Sequence, residues 1–335
     1  MGQMNGDPPR PAPAGDLIGT LLRGLLDDAS LFPPGNLPMP QAIDAHARHR
    51  AAWYRDLTGP FVCPDTRLPE LRRVLTAAGT PSIDLSLVVT GGAAAVADAV
   101  NESDADPRLL LRAIEVPIAR GEDPAKAIVD ATTALDGAPR TGAAGYVEIP
   151  IGLAADPASA RALVAIIAER GYRPKLRTGG VTSAAFPDEA TLAACLATVV
   201  RQWVPFKCTA GLHHAVRHTA TETGFEHHGF LNVLLAIAAA ASGADHDQIA
   251  GILRQRDRSA IAGQVRALAA DDIARVRTVF ASFGTCSTDE PVTDLVALDL
   301  IGTDEPGYEQ VGEIGTDEPG YEQVGETGTR PAGDE

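Results

Sequence analysis

Two lysines, an arginine and two glutamates stand at the ends of short apolar runs in this chain. Lys175, Arg177 and Thr178 fall within "YRPKLRTGGV", and Lys207 and Thr209 within "VPFKCTAG". Side chains alternate along a strand, so Lys175 and Arg177 share one face and Lys207 and Thr209 share another. Glu115 opens "EVPIARGEDPA" and Glu148 opens "EIPIGLAADPA", at the ends of two earlier runs. If these faces turn into one chamber, crowded positive charge and shelter from water disfavour the ammonium form of Lys175. A neutral amine then becomes available to attack a carbonyl and form a Schiff base, with a nearby carboxylate moving protons. The plainer alternative is that Lys175 and Lys207 pair with Glu115 and Glu148 and fix the interior without catalysis.

Residues 213–228 offer a competing chemistry. His213, His214, His218, His227 and His228 are gathered there with Glu222 and Glu226. His214 and His218, four residues apart, share a face if the stretch is helical. A divalent-metal site could be assembled from this loop and Glu148, which would make the protein a metal-dependent hydrolase or isomerase. No HExxH accompanies it, so the favoured role is a single histidine, His213 or His214, serving as acid, base or anion donor. In that reading no metal and no cofactor is expected. Asp27, Asp28 and Ser30 end a candidate first strand, and Asp28 is taken as a substrate contact; its alternative role is to cap the bend before Pro33. Cys208 should face a helix layer, and His46, His49 and His246 are placed on helix surfaces.

These groups need a frame. Candidate strands "GPFVCP", "IDLSLVVTGG", "RLLLRAIEVPI", "AAGYVEIPI", "RPKLRTGG" and "VPFKCTAG" alternate with helical patterns, which is the rhythm of a parallel sheet. Across 187–202, Leu192, Cys195, Leu196, Val199 and Val200 mark one buried helix face. The Glu115 and Glu148 units repeat Glu-x-Pro-Ile, a short loop and Asp-Pro, so Asp123 and Asp156 are expected to cap helices that start with proline. "DDASLFPPGN" supplies a first strand and "FASFGTCS" a last, which brings the count to eight. The expected fold is an α/β (β/α)8 barrel over residues 16–300, with a helical insertion at 212–280 before the last strand. An open doubly wound sheet is second, and no GxGxxG follows an early strand.

Composition sets the outer limits. The chain has 335 residues, 45% of them hydrophobic and 4% aromatic, which implies an aliphatic core. Four cysteines without CxxC spacing argue against a disulfide framework and suit a reducing, cytoplasmic setting. The net charge of −16 has no basic stripe, so nucleic acid is not an expected partner, and no apolar run is long enough for a membrane span. A small-molecule substrate is expected, and a homo-oligomer is compatible with it. Residues 1–15 are rich in Pro and Gly and are expected to be disordered. Residues 301–335 hold "IGTDEPGYEQVGE" twice in succession, an acidic tail expected to be disordered or to dock a protein partner through Tyr308 and Tyr321.

Three short motifs in order carry a resemblance. "KLRTGG" (175–180) resembles the sixth-strand Lys-x-x-Thr-Gly of class I deoxyribose-phosphate aldolases. "KCTAGLH" (207–213) is similar to their seventh-strand Lys-x-Ser-Gly-Gly-x-Arg, and "FGTCS" (283–287) to their eighth-strand Phe-Gly-Ala-Ser. The resemblance implies a lyase of the aldolase type acting on a small carbonyl or phosphorylated polyol. Lys175 would be the Schiff-base nucleophile, Lys207 the neighbour that depresses its pKa, and Glu115 the proton relay. Thr178, Gly179, Gly180, Thr209, Gly211, Gly284 and Ser287 would line a phosphate or hydroxyl pocket. Ala210 stands where the family has a glycine and His213 where it has an arginine, and some seventy residues separate the last two motifs. A further reading is a non-catalytic barrel that binds an anion through Arg177 and the glycines.

Overall fold

A computed structural model describes residues 17–302 apart from 80–81, 119–122, 140–141, 151 and 153–155. The expected disordered start and the repeated tail from Thr303 on, with its two tyrosines, lie outside the described residues. Eight parallel strands close on themselves: β1 (Leu26–Asp28), β2 (Thr58–Pro64), β3 (Ile83–Val88), β4 (Leu109–Pro117), β5 (Ala144–Ile149), β6 (Arg173–Arg177), β7 (Phe206–Thr209) and, after β8 (His218–Thr219) and β9 (Glu226–His227), β10 (Phe280–Thr285). Each barrel strand pairs with its sequence neighbour, and β10 lies between β7 and β1. The protein is a (β/α)8 barrel.

The helices between the strands form where the sequence signals them. Asp123 accepts hydrogen bonds from the N–H groups of Ala125 and Lys126, and Asp156 from that of Ser159, each just before a proline-led helix. Asp188, Asp245 and Asp257 cap the helices Glu189–Arg201, His246–Arg254 and Arg258–Arg266 in the same way. Each such cap contributes on the order of 1 kcal/mol. Outward-facing apolar side chains such as Val147 and Leu176 fill the layer between strands and helices, and Cys208 lies there beside Cys195, as expected.

Between β7 and β10 the chain makes the antiparallel β8–β9 pair and then four helices, Phe230–Ala241 to Ala270–Val279. The first, "FLNVLLAIAAAA", is apolar all round because the helices Glu189–Arg201, His246–Arg254 and Ala270–Val279 pack around it. Its buried Asn232 is fully used. Nδ2 donates to the carbonyls of Ile252 and Gln255, and Oδ1 accepts the Arg217 N–H. Among the described residues no helix is long and apolar enough to cross a membrane. His218 lies in β8, so His214 and His218 do not share a helix face.

Candidate active site

The parallel register sets the site. Lys175 lies opposite Lys207 across β6 and β7, and opposite Glu148 across β5 and β6. With a period of two, Asp27 from β1, Ser86 from β3, Glu115 from β4, Glu148 from β5, Lys175 from β6, Lys207 from β7 and Ser282 from β10 all point inward. They form one polar layer near the C-terminal ends of the strands, where barrels of this type carry their chemistry.

Charge alternates through this layer. Lys207 donates to Asp27 and to Glu115 Oε1 (2.5 Å); Lys175 Nζ lies 2.6 Å from Glu115 Oε2 and 3.0 Å from Glu148 Oε2; Arg177 Nε donates to Glu148 Oε1 at 2.8 Å. Ser86 adds a 2.5 Å hydrogen bond to Glu115 Oε1, and Ser282 one of 2.8 Å to Asp27. Beneath them the Tyr146 ring faces Lys207 Nζ at 5.3 Å. Glu115, Lys175 and Lys207 are all less than 5% exposed.

Burial disfavours the Lys175 ammonium, but Glu115 and Glu148 outweigh burial and the repulsion of Lys207, so its pKa stands above the ordinary 10.5. Lys207 is raised for the same reason by Asp27 and Glu115. Lys207 does push the Lys175 pKa down, as expected of a neighbouring cation, but Glu115 and Glu148 outweigh it, so the net shift is upward. Burial would also raise Glu115 and Glu148, yet their cationic partners hold both below the ordinary 4.5. Asp27 differs, since burial outweighs Lys207 and holds it above the ordinary carboxylate value.

A cavity of about 630 Å³ opens over the layer, with Glu115, Glu148, Lys175, Arg177, Lys207 and Thr209 in its wall. Gly180, His213 and Gly284 reach the same space. A second cavity of about 580 Å³ adjoins it, lined by His213, His214, His218, His227, Phe186 and Glu290 among others. Pro33, Gly180, Val181, Ala210, His213 and Cys286 belong to both.

Several sequence expectations are corrected here. Asp28 turns to the helix layer, where Oδ2 meets His46 Nδ1 at 2.9 Å and Oδ1 accepts the Ser30 N–H, the capping role that was its alternative. Asp27, one residue earlier, faces the chamber instead; period-two alternation from Leu26 is the signal that could have chosen it. Thr178 is fully buried and its hydroxyl donates to the Ala210 carbonyl, which ties the two strand ends together. Gly179 and Gly211 meet backbone to backbone, and Gly211 also borders the second cavity. A Cβ on Gly179 would fall 2.7 Å from Gly211 Cα, and Gly211 has φ +77°. Ser287 Oγ accepts the Glu290 N–H, and Ser287 borders neither of the two cavities. His46 and His49 are buried, while His246 is exposed.

His213 and His214 are held by separate carboxylates. His213 Nδ1 lies 3.1 Å from Glu290 and 3.5 Å from Cys286 Sγ, and these offset burial and carry its pKa up to about 10. His214 pairs with Asp294 at 3.1 Å. His227 and His228 are pushed down to about 4 by burial. Among the described residues no three His, Cys, Asp or Glu side chains are grouped to hold a metal ion.

No family model matches the chain, and no curated protein matches it. Among solved structures it is similar to a deoxyribose phosphate aldolase from Aeropyrum pernix, described as having a unique tetrameric structure. Identity is 13%, over 85% of this chain and 99% of that one, with a TM-score of 0.47. The strand pairing establishes the fold independently of that likeness.

Cys63, Cys195 and Cys208 are buried, whereas Cys286 stands at the passage between the cavities. Iodoacetamide should therefore alkylate Cys286 in the folded protein and reach the other three only after denaturation. Mass mapping of alkylated peptides checks this, and equal labelling of all four would contradict the packing described.

Proposed function

We propose that the chain is a lyase of the class I aldolase type, making or breaking a carbon–carbon bond beside a carbonyl through an imine on Lys175. The observation that carries this reading is a buried lysine in the wall of a ligand-sized cavity, with carboxylates 2.6 and 3.0 Å from its nitrogen. An amine at this point must shed protons before it attacks, and Glu148 is positioned to receive one. The same carboxylate can then take a proton from the carbon next to the iminium, giving the enamine that adds to an acceptor aldehyde. Lys207 and Glu115 hold the nitrogen in place and keep the chamber's charge balanced.

Composition gives this some weight. The chain has only three lysines among its 28 basic residues, and two of them face each other here. Arginine cannot serve as this nucleophile, because its guanidinium does not deprotonate in a protein.

Borohydride reduction in the presence of acetaldehyde is the test. A stable adduct should appear on the peptide that carries Lys175 and be absent from K175R. The competing reading is a charge layer that only stabilises the barrel, favoured by the two carboxylates on each ammonium. Under that reading Lys175 gives no adduct in any aldehyde tried.

A further inference from the structure

We infer that the substrate is an oxo acid: Arg177 binds its carboxylate while Lys175 takes the neighbouring carbonyl carbon. This rests on Lys175 as the nucleophile and adds the substrate class.

Arg177 ends β6 two residues after Lys175, on the same face, so their backbones are about 6.6 Å apart. Glu148 connects them, with Oε2 on Lys175 Nζ at 3.0 Å and Oε1 on Arg177 Nε at 2.8 Å. The guanidinium is thus held by one edge. Its two terminal nitrogens have no hydrogen-bond or ion-pair partner among the described residues, and the side chain is 43% exposed in the wall of the cavity. A planar fork anchored in this way is preorganised for a planar carboxylate.

Spacing selects the rest of the ligand. One carboxylate already spans the two cations from the wall side, and a 2-oxo acid, with an electrophilic carbon one bond from its carboxylate, spans them from the cavity side. Thr209, the register partner of Arg177 on β7, adds a hydroxyl to the same wall. The other cations are engaged elsewhere, Lys207 with Asp27 and Glu115 and His213 with Glu290. One fork facing the space suits a monoanion, and a phosphate dianion placed there would meet it close to Glu148.

In the covalent step the Nζ–C2 bond forms. The carbonyl oxygen leaves as water with two of the three ammonium protons, and the positive charge stays on the iminium nitrogen. The substrate carboxylate keeps its charge and its pairing with Arg177 throughout. Borohydride then delivers hydride to C2 and fixes a secondary amine.

The experiment compares borohydride trapping of pyruvate and of acetaldehyde on the full chain, in wild type, R177Q and R177K, with the adduct mapped to Lys175. Wild type should trap pyruvate at lower concentration than acetaldehyde. In R177Q the preference for pyruvate should fall about 10- to 100-fold, the size of a lost charge-assisted contact. R177K should fall between them, because it keeps the charge without the fork; if R177Q does not fold, R177K alone decides. Acetate should compete with pyruvate, and inorganic phosphate should do so less well.

An unchanged preference in a folded variant overturns the inference and leaves Lys175 as the nucleophile. Competition by phosphate as strong as that by acetate overturns the carboxylate assignment. Failure of both carbonyl compounds to trap on wild type removes the nucleophile itself, and the oxo-acid inference with it.

Discussion

Glu115→Gln should lower the unfolding free energy by about 3–5 kcal/mol, the range for breaking a buried ion pair from one side. Both oxygens of Glu115 are in use, Oε1 with Lys207 and Ser86 and Oε2 with Lys175. A glutamine keeps one acceptor and turns an amide N–H₂ toward an ammonium, leaving two buried cations with too little negative charge. Urea denaturation measures the loss, and a difference below about 1 kcal/mol would mean that Asp27 and Glu148 can hold both lysines alone. The pH dependence carries a sign. Glu115 has its folded-state pKa below the unfolded value near 4.5, so its contribution is present above that pH and is lost as pH falls through the folded value. Lys175 and Lys207 are raised above 10.5, so their contribution is complete below it and is lost as pH climbs through the folded values. Asp27 works in the opposite direction, since its raised pKa favours the fold while it is protonated. E115Q should therefore show a shallower acid-side loss than wild type.

Glu148→Gln should slow imine formation on Lys175 by about 100-fold near neutral pH, at the lower end of what a positioned base contributes. Two effects compete in this variant. Removing the carboxylate lowers the pKa of Lys175 and frees more amine, while it also removes the group that accepts the proton. We expect the second to win, because proton transfer across 3.0 Å needs no diffusing base. In wild type the ammonium persists above the ordinary lysine value, so trapping should keep rising between about pH 7 and pH 10 without a plateau. The variant's deficit should narrow over that range as hydroxide substitutes for the lost carboxylate. Faster trapping in E148Q at neutral pH would show that Glu148 only clamps the amine.

The barrel was legible because its signals are local. Strand runs ending in Glu115, Glu148, Lys175 and Lys207 repeat at regular spacing, and Asp123 and Asp156 announce helix starts that the backbone then uses. The convergence of those four side chains also followed from strand parity. What parity could not give was the order of charges. Whether Lys207 touches Lys175 or is separated from it by Glu115 depends on inter-strand register, which no single strand encodes. Asp27 and Asp28 illustrate the same limit, since a shift of one residue exchanges the chamber for the helix layer. The start of the expected helical insertion, 213–228, departs from helix for a different reason. Its histidines suggested helical spacing, but Gly224 at φ +67° and the pairing of His218 with His227 make a hairpin there.

The backbone contact of Gly179 with Gly211 divides the mouth of the barrel into a fixed seam and an editable rim. Any side chain at either glycine would pry apart the strand ends that carry Arg177 and Thr209, whereas Val181, 79% exposed, and the turn up to Ala185 border the cavity from outside that seam. Laboratory evolution of the ligand preference of this cavity should therefore vary residues 181–185 and leave both glycines untouched.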